Sequence, residues 1–218
     1  DLYNRVYDSG PIHLDKILRW SKFADWLNGT NLPPPRVCLP EGYIKAAQEY
    51  VRPTVVLIPF SAVKEKQSSP DVFLKIMEHL NISYDFVVAG APDDLDINPA
   101  YLTLLKTPNT TFDASTFEDL AAKLMRVDLV VSVDTAAMHL SVSLGTPTVC
   151  LASAAYVNEI VPYSREVTPD NVRFIFQEMD CQGCLGSCCL PLEDHRFPCV
   201  ASLKQNQILD AIDELLVK

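Results

Sequence analysis

Hydrophobic positions along this chain follow two rhythms, short unbroken apolar runs and stretches with helical spacing, and from Pro53 onward the two alternate. Thr54-Val55-Val56-Leu57-Ile58 is an unbroken run, the pattern of a strand covered on both faces. A loop follows to Ser69, and then Val72, Phe73, Ile76, Met77 and Leu80 recur at helical spacing. Phe86-Val87-Val88-Ala89 is the next strand, closed by Gly90-Ala91-Pro92, and residues 93–109 are polar and broken by prolines. Ser115-Thr116-Phe117-Glu118 reads as a capping box, with Ser115 as N-cap and Glu118 three residues on, opening a helix to about Arg126. Asp128 to Val133 reads as a buried strand. Asp134 or Thr135 then caps a helix to Leu144, with Gly145 just past its end and Pro147 beyond. Thr148 to Leu151 and Val172 to Ile175 are further strands, and Ile208, Leu209, Ile212, Leu215 and Leu216 mark a C-terminal amphipathic helix. Such alternation predicts an α/β domain with a mainly parallel sheet flanked by helices. Ligands bind beyond the carboxyl ends of such strands, so the loops at 59–70, 90–96, 110–116, 133–138 and 152–163 are the candidate positions.

Residues 1–52 read as a lead-in or interdomain segment, and 53–218 as the domain proper. Leu14, Ile17, Leu18, Ala24 and Leu27, with Trp20, Phe23 and Trp26, predict a helix over 13–27 that stops at Asn28-Gly29. Asn31-Leu32-Pro33-Pro34-Pro35 is stiff and extended, and Pro40-Glu41-Gly42 opens a short helix through Tyr50. The 218 residues are long enough to bury a core without a metal or disulfide. The net charge of −10, with no Lys/Arg cluster, argues against nucleic acid as a partner. It does not exclude small anions, which backbone N–H groups can hold. No apolar run reaches membrane-spanning length, and the first residues lack the basic and apolar regions of a signal peptide. The expectation is a cytoplasmic protein, and the first residue, an aspartate, suggests a piece excised from a longer one.

The segment 128–151 carries the densest chemistry. A strand runs straight into a helix through Ser132-Val133-Asp134-Thr135-Ala136-Ala137-Met138-His139. Small residues at 135–137 admit a ligand to the first helical turn, whose free N–H groups and dipole suit a diphosphate. Taken alone, the same pattern also fits a capped core helix with Asp134 as a plain N-cap and His139 as a core histidine.

This segment resembles the donor-binding signature of family 9 glycosyltransferases, the heptosyltransferase family, through Ser132, Asp134, Thr135, Ala136, His139, Leu140, Leu144, Gly145 and Pro147. Pro59-Phe60-Ser61 and Lys66-Gln67-Ser68-Ser69-Pro70 resemble the family's first loop. Gly90-Ala91-Pro92 followed by acids, and Cys181-x-x-Cys184 with a later Cys199, fit in the same order. The resemblance implies the C-terminal half of a GT-B fold, a Rossmann-like domain that binds a nucleotide-diphosphate sugar, ADP-heptose-like. The facing half would supply the catalytic base and a lipopolysaccharide-type glycan or glycolipid acceptor at the inner membrane face, so this chain alone would lack that base. Carried onto this sequence, Ser61 and Lys66 meet the phosphates, and Lys66 offsets leaving-group charge without a required divalent metal. Thr135, Ala136 and Ala137 supply the helix N-terminus, Asp134 orients sugar hydroxyls, and His139 braces the loop or reaches a phosphate. Asp94 or Asp96 meets the ribose, and Ser115 lines the base. The chain departs from the pattern at Phe60 and Ala136, where glycines are usual, and at Ser68, where tryptophan is.

Five of the seven cysteines fall between 181 and 199. Cys181, Cys184, Cys188 and Cys199 form a candidate set for a structural zinc or iron, with local disulfides and free thiols as alternatives. The glycine losses keep a second reading open, a non-catalytic GT-B-like scaffold or metal-stapled interaction domain.

Overall fold

The computed structural model describes residues 6–11, 13–40, 42–45 and 49–217. Its centre is a parallel sheet of β1 (Thr54–Ile58), β2 (Asp85–Ala89), β3 (Thr110–Asp113), β4 (Leu129–Val133), β5 (Thr148–Leu151) and β6 (Val172–Ile175). The strand order is β3-β2-β1-β4-β5-β6, with every pair parallel. This is the doubly wound Rossmann order. Every residue of β1, β4 and β5 is buried, which is why these strands read as unbroken apolar runs. Val55 and Leu57 face one side of the sheet, where Phe73, Ile76 and Met77 of α2 (Pro70–Leu80) meet Ile208 and Ile212 of the C-terminal helix (Gln205–Leu216). Val56 and Ile58 face the other side, packed with Leu124 and Val130.

β3 lies in the segment read as loop. It is an edge strand with no fully buried residue, so it shows no apolar run. Before it stand a short helix, α3 (Asp94–Ile97), and a 3₁₀ stretch over Pro99–Lys106. α4 (Phe117–Leu124) corrects the expected cap. Thr116, not Ser115, is the N-cap, its Oγ1 accepting the Asp119 N–H at 3.2 Å. The Ser115 N–H donates instead to Asp113 Oδ1 at 2.9 Å, so the chain leaves β3 through an Asx turn one residue before the cap.

α5 (Ala136–Ser143) follows β4 directly, with Thr135 as N-cap, its Oγ1 facing the Met138 N–H at 3.4 Å. It ends at Gly145, which takes φ +80°, and the N–H groups of Gly145 and Thr146 donate to Val142 O and Ser141 O. That is the Schellman closure the glycine allows.

α1 (Lys16–Asn28) begins three residues later than expected, because Asp15 caps it through the N–H groups of Ile17 and Leu18. The other Asp15 oxygen accepts the Ser164 N–H at 2.6 Å, and Lys16 pairs with Glu159 at 3.2 Å. With Leu18 buried beside Met138 and Val142, α1 is docked on the body of the domain. The helix expected over 40–50 falls partly on Glu41 and 46–48, outside the described residues; the described part is a turn and bend at 42–44 and then irregular. Among the described residues no helix is long and apolar enough to cross a membrane.

Candidate functional site

The chain runs outward from β1 to β2 and β3, then crosses back to lay β4 on the other side of β1. The crevice at the ends of β1 and β4 is therefore the topological switch point, where the loops diverge and leave room for a ligand. From the β1 side come Phe60, Ser61 and, after a 3₁₀ turn over Lys64–Lys66, the lysine itself. From the β4 side come Asp134 and the first turn of α5.

The two sides meet in a buried ion pair. Lys66 Nζ stands 2.5 Å from Asp134 Oδ2, with the side chains 11% and 5% exposed. The ammonium also lies over the Tyr156 ring, 4.8 Å from its centroid. His139, one turn into α5, places Nε2 3.8 Å from Asp134 Oδ1 and Nδ1 2.5 Å from the Tyr163 hydroxyl. Burial lowers the His139 pKa, and the Lys66 charge adds to that, against the opposing Asp134 carboxylate. The imidazole is thus held toward its neutral form. The loop that carries Lys66 is tied at two points: Gln67 Nε2 donates to Ser61 O at 3.0 Å, and the buried Tyr101 hydroxyl donates to Ser68 O at 2.6 Å. Tyr101 packs edge-on against Phe60, and burial pushes its phenol up to about 12.

Beside this cluster lies a cavity of about 300 Å³ over the ends of β1, β2, β3 and β4. Asp94, Ser115, Thr135, Ala136 and Ala137 line it. Lys66, Asp134 and His139 stand next to it rather than in its wall, joined to it through Thr135, and Ser61 is part of the loop that carries Lys66. Asp94 Oδ2 accepts the Ala91 N–H at 2.6 Å. Asp96, the alternative acid, is exposed and does not line the cavity.

Three features had no signal in spacing. Phe60 and Gly90 are matched: a Cβ at Gly90 would sit 2.6 Å from Phe60 Cδ2 and 2.8 Å from Asp94 Oδ2. Asp113 also lines the cavity and pairs with Lys123 at 2.6 Å. Burial pushes its carboxyl up, but Lys123 and Ser115 outweigh that and hold it below the ordinary range. Tyr156 and Tyr163 come from the loop between β5 and β6, whose place at the strand ends was legible though its aromatic members were not.

The cysteine-rich loop packs beside the stretch that carries Tyr156. The Gly183 and Leu185 N–H groups donate to Ala154 O and Ala155 O, and Cys199 Sγ accepts the Ala154 N–H at 3.3 Å. The Cys181 thiol is pushed up to about 11 by burial, then by its hydrogen bond with Cys188 and by nearby Cys184 and Cys189. Among the described residues no three His, Cys, Asp or Glu side chains converge on one metal position.

A Rossmann-order sheet with a buried Lys–Asp pair at its switch point places the chain among doubly wound α/β proteins, and comparison with solved structures narrows this to the GT-B heptosyltransferase fold. E. coli heptosyltransferase WaaC with ADP superposes with a TM-score of 0.61 at 15% identity, over 98% of this chain and 60% of that one. The iron-containing dodecameric glycosyltransferase TibC of enterotoxigenic E. coli gives 0.62 at 14% identity, over 97% and 57%. A family 9 glycosyl transferase of Veillonella parvula gives 0.56 at 20%, over 77% and 47%. The chain thus spans about half to three-fifths of the length of these structures. No curated protein matches the chain. The model of glycosyltransferase family 9 (heptosyltransferase) matches residues 36–187, more than half of the chain, and the chain belongs to that family.

Proposed function

We propose that this chain is the nucleotide-sugar-binding half of an inverting glycosyltransferase with an ADP-heptose-like donor. The observation that carries the reading is the buried Lys66–Asp134 pair at the switch point, set against a cavity whose wall includes the first turn of α5. In this reading the diphosphate lies against the free N–H groups of Ala136 and Ala137, where the helix dipole favours negative charge. The ribose meets Asp94 and the base lies toward Ser115. Asp134 turns its second oxygen to the sugar hydroxyls, and Ser61 meets a phosphate.

In the transfer step an acceptor hydroxyl attacks the anomeric carbon as its bond to the phosphate oxygen breaks, and the nucleoside diphosphate leaves carrying the charge. In this reading Lys66 offsets that charge, and its low exposure supports the role because burial strengthens the interaction. No divalent metal is needed for this role. The base that takes the acceptor proton belongs, in this reading, to a facing domain that also holds the acceptor, a lipopolysaccharide-type glycan at the inner face of a membrane in the cytoplasm. TibC is an iron-containing member of the fold. We extend the proposal to Cys181, Cys184, Cys188 and Cys199 as a structural thiol site for iron or zinc, with disulfide formation as its alternative; elemental analysis of protein purified without chelator separates the two.

Phe60 favours a second reading, a scaffold that has lost its ligand, since it fills space beside Gly90 where a phosphate loop usually opens. Calorimetric titration with ADP, GDP and UDP decides between them. Saturable binding of one nucleotide, weakened by Asp134→Ala, supports the transferase. A folded chain that binds none of the three supports the scaffold.

A further inference from the structure

Among the described residues the Tyr163 hydroxyl has one hydrogen-bond partner, His139 Nδ1 at 2.5 Å. The tyrosine is 6% exposed. Its ring stacks on His139, with centroids 5.6 Å apart and planes at 23°, and packs edge-on against Phe174 of β6 at 4.9 Å. Its carbonyl accepts from the Thr168 hydroxyl, and the next residue, Ser164, is tied to Asp15. Ring packing on two sides and ties on the adjoining backbone hold the phenol against His139.

This fixes the direction of the bond. Burial, and the neighbouring Cys150, Asp134 and Asp15, push the Tyr163 phenol up, so it keeps its proton. If Nδ1 were the donor, that O–H would face no acceptor among the described residues, an arrangement folded proteins avoid. The O–H donates to Nδ1, and a neutral imidazole then carries its own proton on Nε2. Nε2 is the atom that faces Asp134 Oδ1 at 3.8 Å, too far for a direct hydrogen bond. That N–H lies on the Asp134 side of a ring whose side chain is 34% exposed, so it is not taken up by a direct hydrogen bond there.

We infer that Tyr163 is a positioning residue: through Nδ1 it locks His139 in the Nε2–H tautomer, so that the histidine presents a fixed N–H to the phosphate or sugar oxygens of a bound nucleotide sugar. The ligand side of this inference rests on the function proposed above; the tautomer lock does not. Groups facing the pair are Lys66 and Asp134 at the imidazole, and Cys150, Asp134 and Asp15 at the phenol.

The test uses Tyr163→Phe, which keeps the ring and removes the hydroxyl. Long-range ¹H–¹⁵N spectra of the ligand-free 218-residue chain should show Nε2–H as the single His139 tautomer, and Tyr163→Phe should give a mixture. An unchanged single tautomer in the variant, or Nδ1–H in the wild type, overturns the lock. Binding of ADP, GDP and UDP is then measured for Tyr163→Phe, His139→Ala and the double variant. For the nucleotide that binds, Tyr163→Phe should raise Kd about 5- to 10-fold, the loss of roughly one well-formed hydrogen bond. In the His139→Ala background the same change should cost nothing. An equal cost in both backgrounds means that Tyr163 acts only as packing and overturns the inference. If no nucleotide binds the wild type, the donor-site reading fails while the spectra still decide the lock.

Discussion

Lys66 and Asp134 each lose most of their hydration, and each is tolerable there because of the other. Lys66→Ala should therefore act twice. It leaves a carboxylate buried without its partner, which should lower unfolding free energy by about 3–5 kcal/mol in urea titration. In the donor-binding role proposed for Lys66, the same change removes a charged contact to the diphosphate and should weaken nucleotide binding roughly 10- to 100-fold by calorimetry. Unchanged stability would show that water reaches the pair freely. His139 gives a second residue-scale outcome. Its folded pKa lies below 6.5, so below that pH the unfolded chain binds the extra proton first. Its contribution to stability is complete above pH 6.5 and is lost as pH falls through the folded value. Urea midpoints from pH 8 to 5 should decline more steeply for wild type than for His139→Gln; parallel curves would contradict this.

At the scale of elements, the site is a set of loops held by rigid neighbours. The cysteine-rich loop braces the lysine from two directions. Phe197 N–H donates to Glu65 O at 3.0 Å, next to Lys66, and the stretch at 154–156 that the loop hydrogen-bonds carries the Tyr156 ring under the ammonium. Gly90 and Phe60 are matched across two strand ends, so Gly90→Ala should destabilise the chain by about 1–3 kcal/mol as the loops separate. Combining it with Phe60→Leu should cost less than the two single changes summed, measured by urea unfolding. Full additivity would mean that Asp94, not Phe60, is the neighbour that must move.

Elements with both faces buried were legible from their apolar runs, β1, β4 and β5 above all, and Gly145 announced the end of α5. β3 was not, because an edge strand needs no apolar run, and the sequence does not decide the cap because Ser115 and Thr116 both satisfy the local pattern. Only the fold decides that the Ser115 N–H turns back to Asp113. For the site, the strand–helix motif brought out Asp134 and Thr135, and the family resemblance brought out Lys66. Tyr163 and Asp113 stayed hidden because their partners lie 24 and 10 residues away in the chain.

At the scale of the whole molecule, a doubly wound sheet makes one crevice where strand order reverses, and this chain sets its buried Lys66–Asp134 pair there. α1 reaches back to the same region, since Asp15 ties it to the residue after Tyr163. The β1–β4 crevice, the cavity beside it and the docked lead-in helix thus form one connected structure within a family 9 glycosyltransferase chain. The most direct test is an ADP titration of the ¹⁵N-labelled chain followed by amide chemical shifts. The account predicts saturable shifts at Thr135, Ala136 and Ala137, lost at the same concentrations in Lys66→Ala. Saturable binding that leaves those three amides unmoved would contradict it.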